Sequence, residues 1–159
     1  LVAAEAGVGP CRGCNTCAVT GECVVRDGMD KVNRRIDAAD ALVIASPVYF
    51  ATVPAVLKVV YDRVQPYWAR AHRLDLPRGS RRPGAFIAVG GGGDPFGFHC
   101  AVAPTKSVFA VLGVDYSAEL CVAGPDARGD VLVYRRELER AAEIGASIVA
   151  TVEAGRETR

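Results

Sequence analysis

Ala39-Asp40-Ala41-Leu42-Val43-Ile44-Ala45-Ser46-Pro47-Val48-Tyr49-Phe50 decides the fold. Ala41–Ala45 is a short apolar run with no polar residue in it. A strand wetted on one face alternates apolar with polar, whereas an unbroken run marks a strand buried on both faces, the parallel-sheet type. Ser46 to Phe50 then leaves that strand as a loop.

Upstream, Asp27 is a good helix N-cap, with Asp30 three residues on. Met29, Val32, Ile36 and Ala39 mark one helical face, so a helix is expected over about 28–39. Leu1 to Ala4 reads as the tail of a strand, broken by Gly7, Gly9 and Pro10.

Downstream, a helix begins near Thr52 with Pro54 in its first turn. Val56, Leu57, Val60, Tyr61 and Val64 give its buried stripe, and Pro66 ends or kinks it. On this reading Lys58 and Arg63 sit on the helix surface. Residues 66–83 read as a basic loop carrying Arg70, His72, Arg73, Arg78, Arg81 and Arg82. It is either a solvated connection or a landing site for a dinucleotide phosphate or an acidic partner. Ala85–Val89 is a second buried strand, running into Gly90-Gly91-Gly92-Gly93. A helix follows over Ala103–Leu112, ended by Gly113. Val114–Val122 alternates, with Val114, Tyr116, Ala118, Leu120 and Val122 on one face, as a half-exposed or edge strand does. Asp130 caps a long last helix whose buried side is Leu138, Ala141, Gly145, Ile148 and Val152.

Alternation of helix and strand predicts a three-layer α/β/α domain with a doubly wound parallel sheet and right-handed crossovers. With 159 residues, half of them hydrophobic, residues 1–159 suffice for one domain with a real core. A net charge of +1 gives no electrostatic case for nucleic acid or an anionic membrane. No apolar stretch reaches the roughly 20 residues of a membrane helix.

The chemistry is concentrated in residues 10–24. Cys11, Cys14, Cys17 and Cys23 have the spacing C-x2-C-x2-C-x5-C. Four thiolates on so short a loop can hold a four-iron cluster, one sulfur per iron. Structural zinc takes two short pairs with a longer stretch between them, and remains an alternative, as do unmetallated thiols. Disulfides need an oxidising compartment and a narrow geometry, whereas a thiol-rich sequence without a signal points to the cytoplasm. Cys121 reads as a small core residue, and Cys100 has no assigned role. Ligands of open α/β sheets bind outside the carboxyl ends of the strands. Ser46–Phe50 and Gly90–Gly97 both leave such ends, one with a proline and two aromatic rings, the other with backbone that can approach a flat ligand closely. Exposed N–H groups of the first loop are expected to meet ring carbonyls and nitrogens.

Taken together, Pro10-Cys11-Arg12-Gly13-Cys14 through Cys23, Asp27-Gly28-Met29, Ser46-Pro47-Val48-Tyr49-Phe50, Pro54-Ala55-Val56-Leu57-Lys58 and Tyr61-Asp62-Arg63 carry a resemblance. The chain resembles the flavodoxin-like NAD(P)H-dependent FMN reductase superfamily and, within it, the iron–sulfur flavoproteins. The resemblance implies a five-stranded sheet, homo-oligomers, and FMN at the carboxyl edge. It implies that Ser46, Pro47, Val48, Tyr49 and Phe50 line the flavin ring, with Gly90, Gly91, Gly92 and Gly93 near its pyrimidine side. It also implies that Cys11, Cys14, Cys17 and Cys23 hold a [4Fe–4S] cluster. NAD(P)H is the implied donor, and a small redox substrate or electron carrier the implied partner. No catalytic side chain is named, because the protein supplies placement and electrostatics. A cluster-free flavin or quinone reductase and a non-enzymatic zinc domain stand as alternatives. The family opens with a strand, a phosphate-binding loop and a helix that this sequence, beginning Leu1-Val2-Ala3-Ala4, does not contain. The chain is therefore expected to be N-terminally incomplete and, as written, to bind FMN weakly or not at all.

Overall fold

The computed structural model describes residues 1–76 and 79–157. Its helices are α1 (Cys17–Thr20), α2 (Met29–Asp37), α3 (Ala55–Asp62), α4 (Gln65–His72), α5 (His99–Val111) and α6 (Arg135–Glu157). Its strands are β1 (Leu42–Pro47), β2 (Arg82–Gly90) and β3 (Val114–Ala123). Among the described residues the sheet has three strands, all parallel, in the order β1-β2-β3. The five strands implied by resemblance are thus three here. Arg78, counted in the basic loop, lies outside the described residues.

The local reasons are legible. Asp27 Oδ1 accepts the Met29 N–H at 2.9 Å and so caps α2. Met29, Val32 and Ile36 are its buried stripe. Pro66 ends nothing; it opens α4, where a missing N–H costs nothing in the first turn. Much of the expected basic loop is therefore helix. α5 starts at His99, four residues early, with Pro104 inside it. Proline cannot donate to the carbonyl four residues back, which is that of Cys100. Thr52 Oγ1 donates to that carbonyl instead, at 3.0 Å.

Other expectations are corrected. Ala3–Glu5 is a 3-10 turn, not the end of a strand. Ser46 and Pro47 belong to β1, paired with Ala88 and Val89. β1 is an edge strand buried on one face only, so Val43 is 49% exposed. β3 is also an edge strand, as its alternation suggests, but a bulge splits that alternation. Gly84 pairs with Tyr116 and Ala85 with Ala118, which leaves Ser117 unpaired and moves the following residues to the other face. Tyr116 and Cys121 pack on one core, Ala118 and Leu120 on the other. Asp130 opens a separate 3-10 turn (Asp130–Val133), and α6 begins at Arg135. Ile144 and Ile148 are buried, but Leu138, near the start of α6, and Gly145, off the narrow stripe that Ile144 and Ile148 form, are exposed.

The larger core lies between the sheet and α2, α3 and α5, around Met29, Val32, Val60, Phe86 and Val102. The smaller one, Ala85 with Ile144 and Ile148, lies under α6. No helix among the described residues is long and apolar enough to cross a membrane.

Candidate functional site

The four cysteines line one small hollow, together with Val24, Val25, Asp62, Arg63 and Pro66. Two left-handed residues turn the chain between them, Gly13 at φ 64° and Asn15 at φ 58°. α1 then closes on Gly21, whose φ of 73° suits a helix end. Cys11 and Cys14 are exposed, and Cys17 and Cys23 partly buried. The Thr16 hydroxyl donates to Cys14 Sγ at 3.5 Å and pulls that thiol's pKa down. Burial and the neighbouring Cys23, Cys11 and Cys14 push that of Cys17 up. Among the described residues no three His, Cys, Asp or Glu side chains form a group that could hold a metal ion.

Sequence reasoning missed what holds this loop. Arg63, expected on a helix surface, is 1% exposed. Its Nη1 donates to Gly9 O at 2.8 Å and to Asp27 Oδ2 at 2.7 Å. Its Nη2 donates to Val25 O at 3.2 Å and to Asp27 Oδ1 at 3.1 Å. One guanidinium thus ties the residue before the cysteine loop to the residue after it. Asp27 completes the knot by accepting the Gly9 N–H at 2.9 Å. Burial opposes the charge on each partner. The pair overrides it, so Asp27 is drawn down to about 2, and Asp27 with Cys23 holds Arg63 above its ordinary value. Farther along, Arg70 Nε donates to Gly21 O at 2.8 Å, so a cation read as part of a solvated loop also holds the cysteine segment. A signal for Arg63 existed: it stands three residues after Val60, on the buried side of the α3 stripe.

The second feature is a crevice of about 460 Å³ at the carboxyl ends of β1 and β2 and the turn after β3. Ser46, Pro47, Val48, Tyr49, Gly90 and Gly91 line it, with Pro125 and Asp126 opposite. Phe50, Gly92 and Gly93 do not; Phe50 is 99% exposed. The first loop offers fewer free donors than expected. Val48 N–H is bonded to Val89 O and Tyr49 N–H to Thr52 O, both at 2.9 Å. The N–H groups of Gly91, Gly92 and Gly93 have no protein partner among the described residues. The glycines matter for space: a Cβ on Gly90 would lie 3.3 Å from Val48 Cβ, and one on Gly91 3.1 Å from Asp126 Oδ1. Tyr49 to Thr52 forms a tight turn with both central residues left-handed, Phe50 at φ 48° and Ala51 at φ 64°.

His72 stacks near Trp68, with ring centroids 5.4 Å apart, and His99 begins α5; neither lines either feature.

Comparison with known proteins gives a consistent result. Residues 4–125 match the family described as NADPH-dependent FMN reductase. An iron–sulfur flavoprotein of Archaeoglobus fulgidus is 32% identical over 143 residues, 90% of this chain and 60% of that protein. Another, of Methanocaldococcus jannaschii, is 40% identical over 63 residues, 40% of this chain and 33% of that protein. The chain thus matches less than two thirds of the length of either relative. Two solved structures share the fold. The Trp repressor binding protein of Bacillus subtilis superposes with a TM-score of 0.59 at 20% identity, over 76% of this chain and 73% of that one. A flavone reductase superposes with a TM-score of 0.64 at 14% identity, over 89% and 52%. With its parallel sheet, its carboxyl-edge crevice and a match over most of its length, the chain belongs to the NADPH-dependent FMN reductase family and has the flavodoxin-like α/β fold.

Proposed function

We propose that this chain is part of an FMN-dependent oxidoreductase that links a two-electron donor of the NAD(P)H type to a one-electron carrier or small redox substrate. The observation that carries the reading is the gathering of Cys11, Cys14, Cys17 and Cys23 around one hollow, in a chain of an FMN reductase family. The donor set suits iron and sulfide. A single zinc ion draws four thiolates to about 2.3 Å from one point. A four-iron cluster takes one thiolate at each iron, and four cysteines share this one hollow.

In this reading Cys11, Cys14, Cys17 and Cys23 hold the cluster. Ser46, Pro47, Val48, Tyr49, Gly90 and Gly91 bound the flavin ring, and Phe50, Gly92 and Gly93 stand at its rim. Bound together, FMN and a [4Fe–4S] cluster supply the exchange between two-electron and one-electron transfer. The chain's own residues orient and exclude water. Gly90 and Gly91 leave room for a flat ring, and the unpaired N–H groups at 91–93 are donors for its polar edge. The protein is read as a cytoplasmic homo-oligomer, which light scattering and cell fractionation test.

A second reading keeps the flavin and drops the cluster, giving an NAD(P)H-dependent flavin or quinone reductase. The lack of a ready-made metal-holding group among the described residues favours it.

The deciding experiment is an absorbance spectrum with iron, sulfide and flavin counts, on protein expressed from its full natural reading frame and purified without oxygen. The first reading expects brown protein with about four irons and four sulfides for each FMN. Yellow protein without iron selects the second, and colourless protein overturns both.

A further inference from the structure

Arg63 has five N–H groups, four on the two terminal nitrogens and one on Nε. All four terminal ones are used, on Gly9 O, Val25 O and the two oxygens of Asp27. Nε is buried and has no partner. A buried donor left without an acceptor is uncommon and calls for a reason. The side chain cannot swing to find one, because its four other bonds fix the plane of the fork. Arg63 and Cys23 line the same hollow. Cys23 stands two residues before Val25, whose carbonyl Arg63 holds, and with Asp27 it helps to keep the Arg63 pKa above its ordinary value. A neutral thiol is a poor acceptor, while a metal-bound thiolate is a good one.

We propose that Arg63 is a positioning residue for the cluster: its Nε–H donates to the Cys23 thiolate when that sulfur ligates iron, and that hydrogen bond eases the uptake of an electron there. The proposal rests on the iron–sulfur reading above. A hydrogen bond donated to a ligating sulfur stabilises the state that carries the added negative charge, so the potential rises, and a lysine, cationic but without the Nε–H, does not replace it. The electron comes from an added one-electron reductant, dithionite in the test, and no bond of the chain is made or broken.

The test uses the full natural chain, loaded anaerobically with iron and sulfide and labelled with 15N-arginine. In reduced wild-type protein, pulsed EPR is expected to show coupling between the cluster spin and an arginine nitrogen. The coupling should persist in Arg12→Lys and vanish in Arg63→Lys. A lysine can still pair with Asp27 but has no Nε–H fork. Arg63→Lys protein that keeps its iron should have a lower midpoint potential, by about 59 mV for each tenfold loss in the one-electron equilibrium. Wild-type protein that takes up iron and sulfide but shows no arginine coupling overturns this proposal alone. So does an Arg63→Lys cluster with an unchanged potential. Wild-type protein that takes up no iron and sulfide overturns the cluster reading and this proposal with it. The wild-type measurement decides the matter even where Arg63→Lys does not fold.

Discussion

Arg63 Nη1 stands 2.7 Å from Asp27 Oδ2 and Nη2 3.1 Å from Asp27 Oδ1, a two-pronged pair between residues 36 apart in sequence, with the arginine 1% exposed. Such a pair is not free stability, since both charges leave water. Its value lies in what it fixes. Gly9 and Val25 are bonded to the same guanidinium, so both ends of the cysteine loop are set by one side chain. Removing one partner strands the other charge. Asp27→Ala is therefore expected to cost about 3–5 kcal/mol. Urea unfolding measures it, and a loss near zero would show that the knot is not built as described.

The same pair sets an acid limit. Asp27 is held at about 2 in the folded protein, below its unfolded value. A carboxylate whose folded pKa is depressed adds stability above the unfolded pKa and loses it as pH falls toward the folded one. The loss should fall between about pH 4 and pH 2 and amount to roughly 2 kcal/mol. Urea midpoints measured across that range check it, and Asp27→Asn should lack this part of the acid dependence.

The turn beside the crevice is strained. Phe50 and Ala51 are both left-handed, where side chains other than glycine cost about 1 kcal/mol or more. Phe50 is exposed, so replacing it leaves no cavity. Phe50→Asn should raise stability by about 0.5–1 kcal/mol, whereas Ala51→Gly relieves the same strain but gives up a buried methyl and should be close to neutral. If the strain serves the flavin, the double variant of the full natural chain binds FMN more weakly than wild type, as a fluorescence titration would read.

Thr52 and Pro104 should be coupled. Thr52 Oγ1 occupies the Cys100 carbonyl that Pro104 cannot use. Thr52→Val is expected to cost about 1 kcal/mol in the wild type. In a Pro104→Ala background the new N–H takes that carbonyl and the cost should fall to about 0.3 kcal/mol or less. Equal costs in both backgrounds would break the link.

Gly84 sits where the sheet is tightest. A Cβ there would lie 2.3 Å from Val114 Cγ1 and 2.7 Å from Leu42 O, so neighbouring side chain and backbone would both have to move. Gly84→Ala should cost about 2–3 kcal/mol by thermal or urea unfolding.

How much of this was legible along the chain depends on the range of the forces involved. Leu42–Ala45 and Ala85–Val89 are strands, as apolar runs of that length suggest, but the run reports burial correctly only in the second, since β1 lies at the sheet edge with Val43 exposed. Asp27 starts α2 because capping acts over two or three residues. Where a neighbour decides, local pattern fails. Pro66 reads as a stop, but its ring is as well suited to a first turn, and only the packing of α4 selects that role. The even alternation of β3 hides a bulge that exists only in relation to Gly84 and Ala85 on the next strand.

The amino-acid sequence alone determined the α/β alternation, the parallel strands, the two sheet-edge loops and the cysteine spacing, because periodicity, caps and ligand spacing are properties of near neighbours. Only the tertiary structure decided that Arg63 is buried, that it ties Gly9 to Val25, and that Phe50, Gly92 and Gly93 stand outside the crevice. A charge can be buried only where distant segments supply its partners, and those partners are brought together by folding, not by adjacency in the chain.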